Sequence, residues 1–196
     1  MAVTYSETNV SSPVGAQSAY PLNLTKGHEG MLGNLAAYTS LSYENETGAV
    51  IPFGHAVLLN TAGTADLSAK LPAGASATGV VGVTLDSNTF EVNADAKTAD
   101  GRVGYPAKVV TNVLSSGIVY VYSKDAIAVG DAVRIYHTDG ASAASDGSYK
   151  GRFGKTAVSG KTFNVTAGAR WLSSCAAGGI ALLEIDIPTL TVSADS

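Results

Sequence analysis

The stretch from Gly101 to Tyr136 carries the densest β-strand signal in the sequence and constrains the fold more than any other. Its runs Val109–Val113 and Ile118–Tyr122 are rich in β-branched and aromatic residues, which fit a pleated, half-buried surface. Between these runs, Ser115–Gly117 has the composition of a turn, so the stretch predicts a β-hairpin. A second, glycine-led reversal precedes a third predicted strand, Ala132–Tyr136. The stretch therefore predicts the centre of a β-barrel or sandwich and contains no catalytic pattern.

The composition favours one β-rich core over a helical bundle. Of the 196 residues, 45% are apolar, 14% are charged and 22 are glycine, which suits short strands joined by tight turns. No window keeps helical periodicity for more than about three turns. The net charge of −4 excludes a globally basic nucleic-acid-binding protein. The longest apolar stretch, Ile180–Leu183, is far too short to span a bilayer, so we expect neither nucleic acid nor membrane as a partner.

Residues 1–48 differ from the rest of the chain and are predicted to form an extended N-terminal arm. They are rich in Ser, Thr, Asn and Gly, alternate poorly, and cannot bury much apolar surface alone. Such a segment is either disordered or ordered by lying on another surface. Its candidate partner-binding residues are the apolar side chains Tyr5, Tyr20, Met31 and Leu32, and Leu35 is a further apolar anchor. We expect the β-barrel or sandwich core to span 49–190 and a C-terminal tail to span 191–196.

Short β patterns recur along the predicted core and lack helices between them. Besides the central stretch, the predicted strands are His55–Leu59, Gly79–Leu85, Phe90–Val92, Tyr149–Phe153, Thr162–Thr166, Ala169–Leu172 and Ile180–Ile187. Pro188 ends the last of them, because proline cannot continue a hydrogen-bonded ladder. Frequent turns without intervening helices predict an all-β, antiparallel barrel or sandwich.

Two pairs of glycine-led segments indicate an internal duplication. The matched segments are IPFGHAVLL (51–59) with IAVGDAVRI (127–135), and GVVGVT (79–84) with GRFGKT (151–156). The order and spacing are nearly the same in both halves, although chance similarity in a Gly/Ala/Val-rich chain is the alternative. A duplicated half-barrel predicts equivalent turns at Gly54 and Gly130, related by a pseudo-twofold axis.

The sequence shows no catalytic, cofactor-binding or metal-binding constellation. The three histidines, His28, His55 and His137, are too far apart in sequence to form a ligand pair of the HxH or HExxH type. Cys175 follows two serines without the nucleophile-elbow pattern, and as the sole cysteine it cannot form an internal disulfide. We therefore expect a protein that is not an enzyme and needs no cofactor.

One charge asymmetry stands out between Lys150 and Arg170. This segment holds five basic residues and no acidic residue, in a chain that is acidic as a whole. The ordinary interpretation is a solvated strand face. The alternative is a basic interface that meets an acidic surface of a partner or of another copy, with Lys155 and Lys161 as the candidate contacts.

The order of several motifs resembles the structural cement, or decoration, proteins of tailed-phage capsids. The motifs are IPFGHAV, GVVGVT, GRVGYPAKVV, SSGIVYVY, VGDAV and GARWLSSCAAGGIALLEID, and together they cover roughly Gly27 to Ile187. The resemblance implies a β-rich protein, made in the host bacterial cytoplasm, that binds the major capsid protein on the outer surface of the virion. It also implies a homo-oligomer that stabilises the shell. For such a protein we expect a dimer or trimer, with the trimer favoured, since several weak contacts then act together.

A different kind of β domain is the alternative function. A carbohydrate- or receptor-binding domain of a phage appendage would expose clustered aromatic side chains. The candidates for such a cluster are Tyr120, Tyr122, Tyr136 and Trp171. Their burial in the folded protein distinguishes the two functions.

Overall fold

The computed structural model describes residues 27–74, 79–87, 94–139 and 149–195. Within these ranges the chain forms β-strands and two single 3₁₀ turns, Ala94–Ala96 and Ile187–Thr189, without an α-helix. The strands are β1 (Thr39–Glu44), β2 (Ile51–Pro52), β3 (Ala56–Leu59), β4 (Ala69–Lys70), β5 (Val80–Thr84), β6 (Gly104–Tyr105), β7 (Val110–Ser123), β8 (Val133–Tyr136), β9 (Phe153–Gly154), β10 (Thr162–Ala167), β11 (Ala169–Trp171), β12 (Gly179–Asp186) and β13 (Thr191–Ala194). The described residues contain no helix that could cross a membrane. The predicted strand Phe90–Val92 lies outside them.

One large, curled sheet confirms the predicted all-β fold. Its strands run in the order β13-β10-β8-β9-β7-β5-β3-β4, while β1 and β12 also pair with β7, and β11 pairs with β12. The pairings are antiparallel except for the contact between β7 and β9, where Ser123 lies opposite Phe153 in parallel. Strands β2 and β6 form a separate two-stranded sheet.

Strand β7 is the centre of the sheet, and it corrects the predicted hairpin. It runs unbroken for 14 residues through Ser115–Gly117, the predicted turn. Strand β1 pairs with its first half and β12 with its second half, and both reach Ser116. Gly117 has φ 142°, and a Cβ there would lie 2.9 Å from the Cβ of Tyr38. The Ser-Ser-Gly composition favours a turn, but hydrogen bonding to the partner strands β1 and β12 keeps the backbone extended here.

The core lies on both faces of β7. Leu114 belongs to the larger cluster, which includes Phe153 and Trp171 in an edge-to-face contact with ring centroids 6.3 Å apart. Its neighbour Val113 belongs to a second cluster with Tyr43. Successive side chains of a strand point to opposite faces, so β7 joins the two clusters.

Two segments predicted outside the core add strands to the sheet. In the predicted arm, residues 39–44 form β1, and the Tyr43 side chain is buried. In the predicted tail, residues 191–194 form β13, where Val192 lies opposite Val165 of β10. Both segments are too polar to signal burial in the sequence, but an open strand edge recruits them through backbone hydrogen bonds. Residues 1–26 of the predicted arm lie outside the described residues.

The two glycine-led segments have related pairings. Gly54 and Gly130 both have positive φ, 71° and 92°. Strand β3 pairs with β5, and β8 pairs with β9. Strand β5 is antiparallel to β7, whereas β9 is parallel to β7. A twofold axis perpendicular to β7 would require these opposite orientations, because it reverses the direction of β7 itself. Strand β8 begins at Val133, one residue after the predicted Ala132. The duplication itself stays a prediction.

Candidate functional site

The histidines lie in three different environments and form no shared site. His55 is buried, its Nδ1–H donates to the carbonyl oxygen of Phe53 at 2.9 Å, and its Nε2 accepts from Arg102. His137 is buried and stacks on Phe163. His28 is exposed and lies 2.6 Å from a carboxylate oxygen of Asp86. The part of the chain that the structure describes contains no group of three or more His, Cys, Asp or Glu that could hold a metal.

The surface feature with the clearest capacity for binding is the run Gly30–Tyr43, here called the edge segment. It contains no charged residue and no proline. Its ends, Gly30 and Tyr43, are buried, whereas the residues between them are mostly exposed. The exposed fraction is 77% for Leu35 and 47% for both Tyr38 and Leu41. Three large apolar side chains exposed within seven residues give this segment an apolar surface that can contact a partner.

The edge segment also presents an open strand edge. Within the described ranges, β1 pairs with one strand only, β7. The edge of β1 that faces away from β7 is covered at the last residue of the strand, where the Glu44 N–H donates to the carbonyl oxygen of Leu67 at 2.9 Å. Soluble proteins usually protect such edges with lysine, proline or inward-pointing charges. None of these devices occurs between Gly30 and Tyr43, so this edge is suited to a partner.

Hydrogen bonds and close packing fix the start of the edge segment to the barrel. The N–H of Gly30 donates to the carbonyl oxygen of Tyr120 at 2.9 Å, and that of Gly33 to Ile118 at 2.8 Å. Gly30 has φ 82°, and a Cβ there would lie 2.7 Å from the backbone nitrogen of Asp86. Only glycine fits this position without displacing the chain, so the segment has a fixed starting point on β7.

The predicted apolar contacts of the arm have different positions in the structure. Met31 is 39% exposed within the edge segment. Leu32 forms an isolated bridge with Val119 and packs, partly buried, against the larger core cluster, so it is largely committed to the fold. Tyr5 and Tyr20 lie outside the described residues. Met31 therefore exposes its side chain to a possible partner, whereas Leu32 packs mainly against the core.

Intramolecular carboxylates neutralise much of the predicted basic face. Lys155 pairs with Asp131 at 3.0 Å, and Lys150 pairs with Asp139 at 3.1 Å. The pKa of Asp131 is lowered first by a hydrogen bond from the Ala128 N–H and then by Lys155. Lys161 is half-buried and forms no ion pair among the described residues. The sequence count missed these acidic partners because they lie on other segments of the sheet.

Sequence comparison gives the family. The profile described as "Structural cement protein (E217 gp24/Pam3 gp6)" matches residues 16–186, most of the chain. The chain belongs to this structural cement protein family. The cement protein is thus a structural component of a phage virion and associates with the capsid, and membership implies a structural rather than an enzymatic role.

A solved structure agrees with the fold of this cement protein. A chain from the structure titled "The capsid of Myoviridae Phage XM1" superposes with a TM-score of 0.62. The match covers 88% of this chain and 98% of that chain at 16% sequence identity. At this identity, the similarity establishes the fold. No curated protein matches the chain.

The aromatic residues of the alternative function form no exposed platform. Trp171 and Tyr136 are 1% and 3% exposed. The Trp171 Nε1–H donates to the carbonyl oxygen of Ala132, as expected of a buried indole. Tyr122 lies beneath the Arg152 guanidinium, 4.1 Å from its carbon to the ring centroid. Tyr120 and Tyr122 are half-buried, so none of the four predicted aromatic side chains is exposed as a sugar-binding platform would require.

Proposed function

We propose that this cement protein binds the outer surface of the capsid as a homo-oligomer and stabilises the shell through its edge segment. The observation that carries the proposal is the uncharged edge segment, which exposes Leu35, Tyr38 and Leu41 and includes the open edge of β1. An isolated soluble domain gains nothing from such a surface, since it invites edge-to-edge aggregation. A protein that is covered on a shell lattice uses it.

The contact that this edge supports is strand addition combined with apolar packing. A partner strand would take up the backbone hydrogen-bonding groups along the open edge of Thr39–Tyr43, which supply affinity without sequence specificity. The exposed side chains beside the strand would supply specificity. A partner that brings its own charged or proline-rich edge would not fit here.

The homo-oligomer explains how a small contact can hold firmly. Several copies that are linked to one another bind the shell with an effective concentration in the millimolar range, so avidity exceeds single-site affinity by orders of magnitude. We expect a dimer or trimer, with the trimer favoured. Tyr5 and Tyr20 of the N-terminal segment are further proposed contacts.

A sedimentation assay with undecorated shells tests the proposal. The variants Leu35→Lys and Leu41→Lys place a charge on the edge segment without removing a core side chain. Val129→Lys is the matched control, because Val129 is 66% exposed but lies outside the edge segment. We expect the two edge variants to lose at least tenfold in shell affinity, while all three melt within a few degrees of the wild type.

The control defines the result that would refute this role for the edge segment. If Leu35→Lys and Leu41→Lys sediment with shells as well as Val129→Lys and the wild type do, the edge segment is not the contact surface. Dissociation that is equally fast in all three variants would indicate a general charge effect instead.

A further inference from the structure

One arginine differs from the other three in the chain. The Nε–H of Arg134 donates to a carboxylate oxygen of Asp195 at 3.0 Å, and that of Arg170 donates to Glu184. Arg102 pairs with Asp100. Arg152 is 7% exposed, yet its buried Nε has no hydrogen-bond acceptor among the described residues. A buried donor without an acceptor destabilises the folded state, so this exception calls for a physical explanation.

Aromatic rings hold the Arg152 guanidinium in place. Its carbon lies 4.1 Å from the ring centroid of Tyr122 and 5.7 Å from that of Tyr149. Burial and the charge of Arg102 both lower the pKa of Arg152. Stacking satisfies the faces of a guanidinium and leaves its edge, which carries the N–H donors, for an acceptor.

Arg152 lines a surface cleft of about 480 Å³. The polar lining residues include Arg152, Arg102 and Glu29, and Phe53 and Ile180 are among the apolar ones. The charges of both arginines act on Glu29, but among the described residues Glu29 forms no ion pair, and burial raises its pKa. The cleft therefore contains a fixed donor group beside a carboxyl group that makes no direct ion pair with it.

We propose that the Arg152 cleft binds the carboxylate of an aspartate or glutamate side chain of the capsid shell, an inference that rests on the proposed function. A planar, singly charged carboxylate matches the fork of a guanidinium. A phosphate dianion is disfavoured relative to a singly charged carboxylate, because the Glu29 carboxyl group lines the same cleft. The apolar walls formed by Phe53 and Ile180 suit the methylene groups of an acidic side chain.

Titration with acetate tests the carboxylate chemistry without the shell. Arginine Nε–H groups that are buried or hydrogen-bonded to a carboxylate give separate ¹H–¹⁵N resonances, so the chain contains its own controls. We expect the Arg152 resonance to shift and saturate at roughly 10 mM acetate, while those of Arg134 and Arg170, which already have carboxylate partners, stay in place. Inorganic phosphate should produce a smaller shift. An Arg152 resonance that does not move, or three resonances that move together, would overturn the proposal.

The variant Glu29→Gln tests whether the chain supplies its own acceptor. Removal of this nearby negative charge should raise the acetate affinity of Arg152 by a few-fold. If the substitution alone shifts the Arg152 Nε–H resonance as far as acetate does in the wild type, Glu29 is the partner of Arg152 in solution. That outcome would also overturn the proposal.

Shell binding then tests the source of the carboxylate. Arg152→Lys keeps the charge but loses the two-pronged fork, and Arg170→Lys is the matched control at an exposed, paired arginine. We expect Arg152→Lys to leave shells about tenfold faster than the wild type and Arg170→Lys to leave at the wild-type rate. Equal rates for both variants would overturn the inference and leave the proposed function intact. Failure of the wild type to bind shells would overturn the proposed function, which the acetate titration does not test.

Discussion

His55 should make the stability of this cement protein depend on pH well above the range of acid unfolding. Its ring is 1% exposed, and both ring nitrogens have partners. Because an arginine can only donate, the 2.9 Å contact between Arg102 Nη1 and Nε2 fixes the proton on Nδ1, which donates to Phe53. A second proton on Nε2 would face the guanidinium. Burial, together with the nearby arginine charges, lowers the pKa of His55 from 6.5 to about 3.

The size and sign of the effect follow from this shift. Between pH 6.5 and 3, the unfolded state binds a proton at this position and the folded state does not. The stabilising contribution is thus complete above pH 6.5 and is lost as the pH falls, by at most about 1.4 kcal/mol per pH unit. Between pH 7.5 and 5, the loss is about 2 kcal/mol. Glu29 acts in the opposite direction, because its raised pKa favours the folded state at low pH and loses that contribution as the pH rises.

Urea unfolding at pH 7.5 and 5.0 measures this loss. The variant His55→Gln keeps an acceptor for Arg102 and a donor for Phe53 but cannot be protonated. We expect the wild type to lose about 2 kcal/mol more between the two pH values than His55→Gln does. Equal losses in the wild type and His55→Gln would refute the reasoning.

Three further results are expected. Asn45→Ala should lower the free energy of unfolding, measured by urea titration, by about 1–3 kcal/mol. The reason is that the Asn45 amide donates to three backbone carbonyl groups, and its bond to Tyr105 is buried. A smaller loss would mean that water replaces these bonds. Gly117→Ala should lower the free energy of unfolding by about 1–3 kcal/mol, because Gly117 has a φ of 142°, which an alanine rarely adopts. An unchanged melting temperature would contradict this backbone conformation. If the basic segment Lys150–Arg170 is an interface, Lys161→Glu should slow shell binding at low salt more than Lys155→Glu does, because Lys155 is already paired with Asp131. Equal binding rates for both variants and the wild type would identify the segment as a solvated face.

The β-strands could be predicted from the sequence where their own residues form the core. Gly179–Asp186 alternates buried and less buried positions from Ala181 onward, and three of the four residues of Val133–Tyr136 are buried. The apolar residues of both strands mark them locally. Strand β1 could not be predicted in this way, since four of its six residues are exposed and it is held by backbone pairing with β7. The predicted hairpin at Ser115–Gly117 was wrong for the same reason, because the partners of β7 are distant in sequence.

The candidate sites divide along the same line. The absence of charge between Gly30 and Tyr43 can be read from the sequence. Met31 is predicted there as a contact and is exposed, but its binding to a partner stays a prediction. The burial of Arg152 against an aromatic ring could not be predicted from the sequence, because only the fold brings Tyr122 of β7 beneath its guanidinium. The ion pair between Lys155 and Asp131 likewise joins residues whose proximity exists only in the folded sheet.

The central claim is that this cement protein coats the outside of the capsid, and cryo-electron microscopy of shells with and without it tests that claim most directly. We predict additional density on the outer surface, in symmetric clusters of two or three copies, with the edge segment Gly30–Tyr43 against the shell or a neighbouring copy. Density on the inner surface, density confined to a tail or appendage, or two identical reconstructions would contradict the account.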